Sequence, residues 1–241
     1  IPPPPPPPIS VPVHFQYKGK GSGSSFQAGE SIHPIMVKAS VDPNDKFGPV
    51  GAGPGRHIAP DLPLRYTVSF ENLPAATAPA ARVVVRDHVD PSHVDLATFS
   101  FGRMTFADRA FDPEPGLTYF SAGYDLRPAQ DYIVWVEARL DTSTGDITWD
   151  LTTLDALTRQ PPEDPLAGFL PPNVTSPEGQ GSVSYSVMPR ADLPSGTQIG
   201  GDAAITFDYN PPLETPAWLN TIDAGVPNAA VRPRPAVSPI R

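Results

Sequence analysis

The sequence predicts an all-β fold, an antiparallel β-sandwich with long loops and extended proline-rich termini. Two observations carry that expectation. The chain has 35 prolines in 241 residues, and proline costs about 3 kcal/mol inside a helix because it lacks an N–H donor and fixes φ. Seven segments alternate apolar and polar residues with the period of two that belongs to half-buried strands. Short strands spaced by turns, with no helical pattern between them, point to two packed sheets.

The elements follow in chain order. Residues 1–12, with the run Pro2 to Pro8, are expected to form a polyproline II rod rising about 3.1 Å per residue, either a stiff spacer or a ligand for an aromatic groove. Residues 13–61 are read as an N-terminal strand and linker: Val13 to Tyr17 alternate, and a glycine-rich turn follows at 19–25. The β-sandwich domain is placed at 62–223, and 224–241 is read as a linker to a following domain.

Within the sandwich, Leu64, Tyr66, Val68 and Phe70 share one face of the first strong strand. Residues 81–87 and 98–107 follow, the latter bent at Gly102. Residues 132–140 and 145–153 flank DTSTG and should pair as a hairpin, with Val134, Val136, Ala138 and Leu140 set against Ile147, Trp149 and Leu151. Val183, Tyr185 and Val187, then Ala203, Ile205 and Phe207, are expected inward on the last two strands. The loop 154–180 is long, and its own apolar residues Leu166, Phe169 and Leu170 are expected to tie it down.

Charge narrows the function. A net charge of −9 with four lysines leaves no basic patch for phosphates, so nucleic acid is not an expected partner. No apolar run reaches the roughly 20 residues of a membrane span. There is no cysteine, hence no disulfide, and no G-x-S-x-G elbow or H-E-x-x-H spacing; no enzyme is expected and no catalytic residue is assigned. His88 and His93, with Asp87, Asp90 and Asp95, read as a solvated polar turn.

Two candidate sites remain. Asp42, Asn44 and Asp45 in DPNDK, joined by Asp208 and Asn210, supply oxygen ligands of the kind calcium needs, six to eight at about 2.3–2.6 Å. The same residue types beside proline also make Asx turns to their own backbone, and both readings stand. Trp135 lies on the opposite strand face from Val134 and Val136, and is the aromatic expected as an exposed ligand contact, whereas Trp149 belongs to the core.

Several strings occur together in order: SVDPNDKFGP at 40–49, LRYTVSFEN at 64–72, DPLAGFLPPN at 164–173, GSVSYSVMPRADLPSGTQI at 181–199 and AAITFDYNPPLETPAWLNTID at 203–223. In these the chain resembles a bacterial domain of unknown function, a conserved repeat domain of large secreted and cell-surface multidomain proteins. The resemblance implies an immunoglobulin-like sandwich in an extracellular or cell-surface setting and brings no catalytic residues. It implies a non-enzymatic structural module, a spacer, stalk or assembly unit, joined through its proline-rich ends to neighbouring domains or identical subunits. The alternative is a carbohydrate- or protein-binding adhesion module.

Overall fold

In the computed structural model, which describes residues 43–226, those residues form an all-β sandwich of antiparallel sheets. The strands in order are β1 (Asp45–Phe47), β2 (His57–Ile58), β3 (Leu64–Glu71), β4 (Arg82–His88), β5 (Val94–Phe101), β6 (Met104–Phe106), β7 (Arg109–Phe111) and β8 (Tyr119–Asp125). They continue as β9 (Tyr132–Leu140), β10 (Asp146–Asp155), β11 (Gln180–Pro189), β12 (Gln198–Gly201), β13 (Ala203–Phe207), β14 (Leu213–Glu214) and β15 (Trp218–Ile222). No helix occurs among the described residues, so none there is long and apolar enough to cross a membrane. The polyproline run, the strand expected at Val13 to Tyr17 and the linker after residue 226 lie outside the described residues.

One sheet runs β1-β3-β11-β6-β7, with β5 also paired to β11; the facing sheet runs β14-β13-β4-β10-β9-β8. The expected hairpin forms in the expected register: Ile147 opposes Leu140, Trp149 opposes Ala138 and Leu151 opposes Val136. All six are buried. Gly145 closes the turn at φ 84°, and a Cβ there would stand 1.9 Å from the Val89 carbonyl oxygen, so backbone conformation and space both demand glycine.

Aromatic side chains fill the space between the sheets. The Trp149 ring of β10 lies 5.9 Å from both Phe101 of β5 and Tyr185 of β11, and Phe106 of β6 lies 5.8 Å from Tyr124 of β8. Such edge and tilted contacts add to the burial of the rings. Phe207, expected inward with Ala203 and Ile205, packs edge-on to Phe70 at 6.4 Å but stays only partly buried, since β13 ends at the rim.

The folded unit begins earlier than residue 62. β1 extends the first sheet beyond β3, and β2 pairs in parallel with β15 to build a small third sheet, β12-β15-β2. Ile58, Ile199 and Ile222 carry this sheet into the common core. In the long loop, Phe169 and Leu170 are buried and Leu170 exchanges backbone hydrogen bonds with Ala80, as expected of a tied-down segment. Leu166, expected to help, is 62% exposed.

The topology separates the two ends of the unit. Asp45 pairs with Ser69 near the far end of β3, and the Asn44 side chain accepts the Glu71 amide there. At the other end of β3, Leu64 opposes Val187, and the loop beyond β11 brings Gly196 to the Ile222 carbonyl. The described residues therefore begin beside the C-terminal end of β3 and finish towards its N-terminal end.

Candidate functional site

The chemistry most unlike an ordinary β-core lies between the sheets. β1 is three residues long, and Lys46 at its centre opposes Val68 of β3. Its Nζ crosses the interior to Asp87 of β4, 2.6 Å from Oδ1, with both side chains at zero exposure. Asp87 follows Val83 and Val85 on the inward face of β4, and its strand is flanked by β10 and β13. The position expected to belong to a solvated turn is thus the last inward position of a core strand.

Three further groups surround the pair. The Tyr185 hydroxyl donates to Asp87 Oδ2 at 3.1 Å, and the His88 amide donates to Oδ1 at 2.7 Å. The Lys46 ammonium lies 5.0 Å from the centre of the Tyr66 ring, and the rings of Tyr66 and Tyr185 lie tilted at 5.2 Å. Burial pushes the Asp87 carboxyl above the ordinary carboxylate range, against the pull of Lys46 and the two hydrogen bonds. Burial, then the charge of Asp87, raises both tyrosines well above their ordinary value. The Tyr66 hydroxyl has no hydrogen-bond partner among the described residues.

The expected oxygen ligands are arranged as follows. Asp42 lies outside the described residues. Asp45 accepts the Lys46 amide at 2.7 Å. Asp208, at φ 52°, takes the amides of Ala81 and Arg82 on one oxygen at 2.9 and 2.8 Å, a long-range bond to the start of β4 rather than a turn to its own backbone. Asn44 and Asn210 both line an open groove with Glu71, Asn72, Leu73 and Phe207. The Glu71 carboxylate in that groove is held by the side-chain amides of Asn173 and Gln180 at 2.9 and 3.2 Å. Among the described residues no three of His, Cys, Asp and Glu gather as a metal-holding group. His88 faces Asp146 at 2.9 Å, whereas His93 faces Asp90 at 3.7 Å.

Trp135 lies on the outer face of its sheet, half-buried, with Nε1 donating to Glu137 at 3.3 Å. It rests over Gly123, where a Cβ would come within 3.1 Å of the ring. Trp149 is wholly buried, as expected. Trp218 instead ties β15 to the segment between β1 and β2: its ring is capped by the Arg56 guanidinium at 3.9 Å and its Nε1 donates to the Pro49 carbonyl at 3.2 Å.

The sequence reading passed over Lys46 and Asp87 as a pair, although one signal was available. In ARVVVRD the alternation that turns Val83 and Val85 inward also turns Asp87 inward, and a buried acid calls for a cation. Nothing local names Lys46 as that cation.

Residues 168–221 match the model of a family described as Domain of unknown function (DUF7619). No curated protein matches the chain. Among solved structures, the collagen-binding domain of a Staphylococcus aureus adhesin is similar over 77% of this chain and 99% of its own, at 11% identity and TM-score 0.36. The N-terminal domain of a Streptococcus gordonii adhesin is similar over 76% of this chain and 33% of its own, at 11% identity and TM-score 0.37. A group B streptococcus pilus 2b backbone protein is similar over 73% of this chain and 56% of its own, at 13% identity and TM-score 0.34. This chain thus spans about a third of the second and just over half of the third.

Proposed function

We propose that the chain is a non-enzymatic, extracellular structural module of a bacterial surface or secreted protein, a spacer or stalk unit joined to neighbouring domains or identical subunits through its ends. The observation that carries this reading is where the described residues begin and finish. Asn44 bonds the Glu71 amide at one end of β3, whereas Asp223 bonds the Ile58 carbonyl towards the other, so successive units joined through these positions would extend a rod rather than fold back on themselves. Lys46 and Asp87 fit the same role. Their side chains are closed to solvent, so they act on the protein's own stability and not on a substrate, and they fasten the first strand to the opposite sheet.

The adhesion reading competes at Trp135, a half-buried aromatic beside Glu137 of the kind that stacks on sugars. Immobilised chain probed on a glycan array and in pull-downs of extracellular protein separates the two. The spacer reading expects no saturable ligand. Saturable binding that disappears in Trp135→Ala would transfer the chain to the binding class.

A further inference from the structure

We propose that Lys46 and Asp87 condense into an intramolecular amide, a covalent strut between the first strand and the facing sheet. The inference rests on the seclusion and spacing of the two groups, and stands apart from the spacer reading.

The ammonium is poorly served as an ion. It has three protons to donate, and among the described residues it finds the Asp87 oxygen at 2.6 Å, the Asp202 carbonyl at the outer limit of 3.5 Å, and the face of Tyr66. An amide nitrogen carries a single proton and no charge, so condensation removes both the buried charges and the surplus donors. The ion pair is costly in such a place because each charge has surrendered its water.

The reaction balances within the pair. One proton passes from the ammonium to the carboxylate, leaving an amine and a carboxylic acid. The amine lone pair attacks Asp87 Cγ and forms the C–N bond. A second nitrogen proton moves to a carboxyl oxygen, the C–O bond breaks, and that oxygen leaves as water; no oxidant, reductant or other co-reactant is consumed. The remaining oxygen bears negative charge in the tetrahedral intermediate; with Oδ1, the oxygen beside Nζ, leaving as water, the Tyr185 hydroxyl on Oδ2 is the donor that stabilises that oxyanion. Fixed proximity supplies the rest, since well-oriented intramolecular partners react with effective molarities of about 10⁵ M or more. Zero exposure of both side chains keeps bulk water from reversing the reaction.

Intact mass spectrometry of the denatured chain tests this directly. The expected mass is one water below that of the sequence, with fragmentation locating the loss in a branched peptide joining Lys46 to Asp87, and with the full mass restored in Lys46→Arg. A wild-type chain of full mass overturns the proposal. So does a deficit that persists in Lys46→Arg or maps to other residues. Full mass would leave the spacer reading intact, and a saturable ligand would leave the amide intact.

Discussion

At the scale of single residues, the interior is governed by one polar constellation in an otherwise apolar core. Removing one partner of a buried charge pair strands the other without water, at a cost of about 3–5 kcal/mol. Lys46→Met, which keeps the volume and loses the charge, is therefore expected to lower unfolding stability by at least about 3 kcal/mol in denaturant titration. A loss inside the roughly 0.5 kcal/mol typical of surface substitutions would show that the pair contributes nothing. Asp87 was legible as an inward position because Val83 and Val85 set the alternation. Lys46 was not, because 41 residues separate it from its partner and a three-residue strand carries no period of its own. Among the oxygen-ligand candidates, Asp208 binds the distant amides of Ala81 and Arg82, and Asn44 and Asn210 line one groove, both through tertiary packing that local sequence does not encode.

At the scale of elements, legibility tracked length and locality. The β9–β10 hairpin was readable to its register because two long alternating runs flank a turn whose Asp141 side chain accepts the Ser143 amide. The small sheet β12-β15-β2 was not, because its parallel pair joins residues 57–58 to 221–222 and no adjacent segment signals it. The long loop divides its apolar residues by contact rather than by composition. Leu170 is fully buried and bonded to the Ala80 backbone, whereas Leu166 faces outward. Leu170→Ala should cost about 2–5 kcal/mol, as other buried leucine truncations do. Leu166→Ala should stay within about 0.5 kcal/mol. Thermal unfolding of the two variants side by side checks the assignment; equal shifts in Tm would mean that the loop is held some other way.

At the scale of the whole molecule, the account turns on how the chain passes through the sandwich. The all-β class followed from proline content and alternation, and the two-sheet core followed from the inward faces of the seven strands. The course of the chain at its two edges did not, because it depends on β1 and β15, distant in sequence, meeting where the Phe47 and Trp218 rings pack at 6.1 Å. A pull on residues 43 and 223 loads β1 first, and β1 shares only a three-residue ladder with β3. Unaided, so short an edge strand would peel. Lys46 gives it a second hold in the facing sheet. Single-molecule stretching between handles at residues 43 and 223 probes that second hold. The expected result is a discrete rupture at high force, with residues 47–86 withheld from the released length because the Lys46–Asp87 strut bypasses them, and a lower rupture force in Lys46→Met. Gradual low-force extension of the unmodified chain, indistinguishable from that of Lys46→Met, would contradict it.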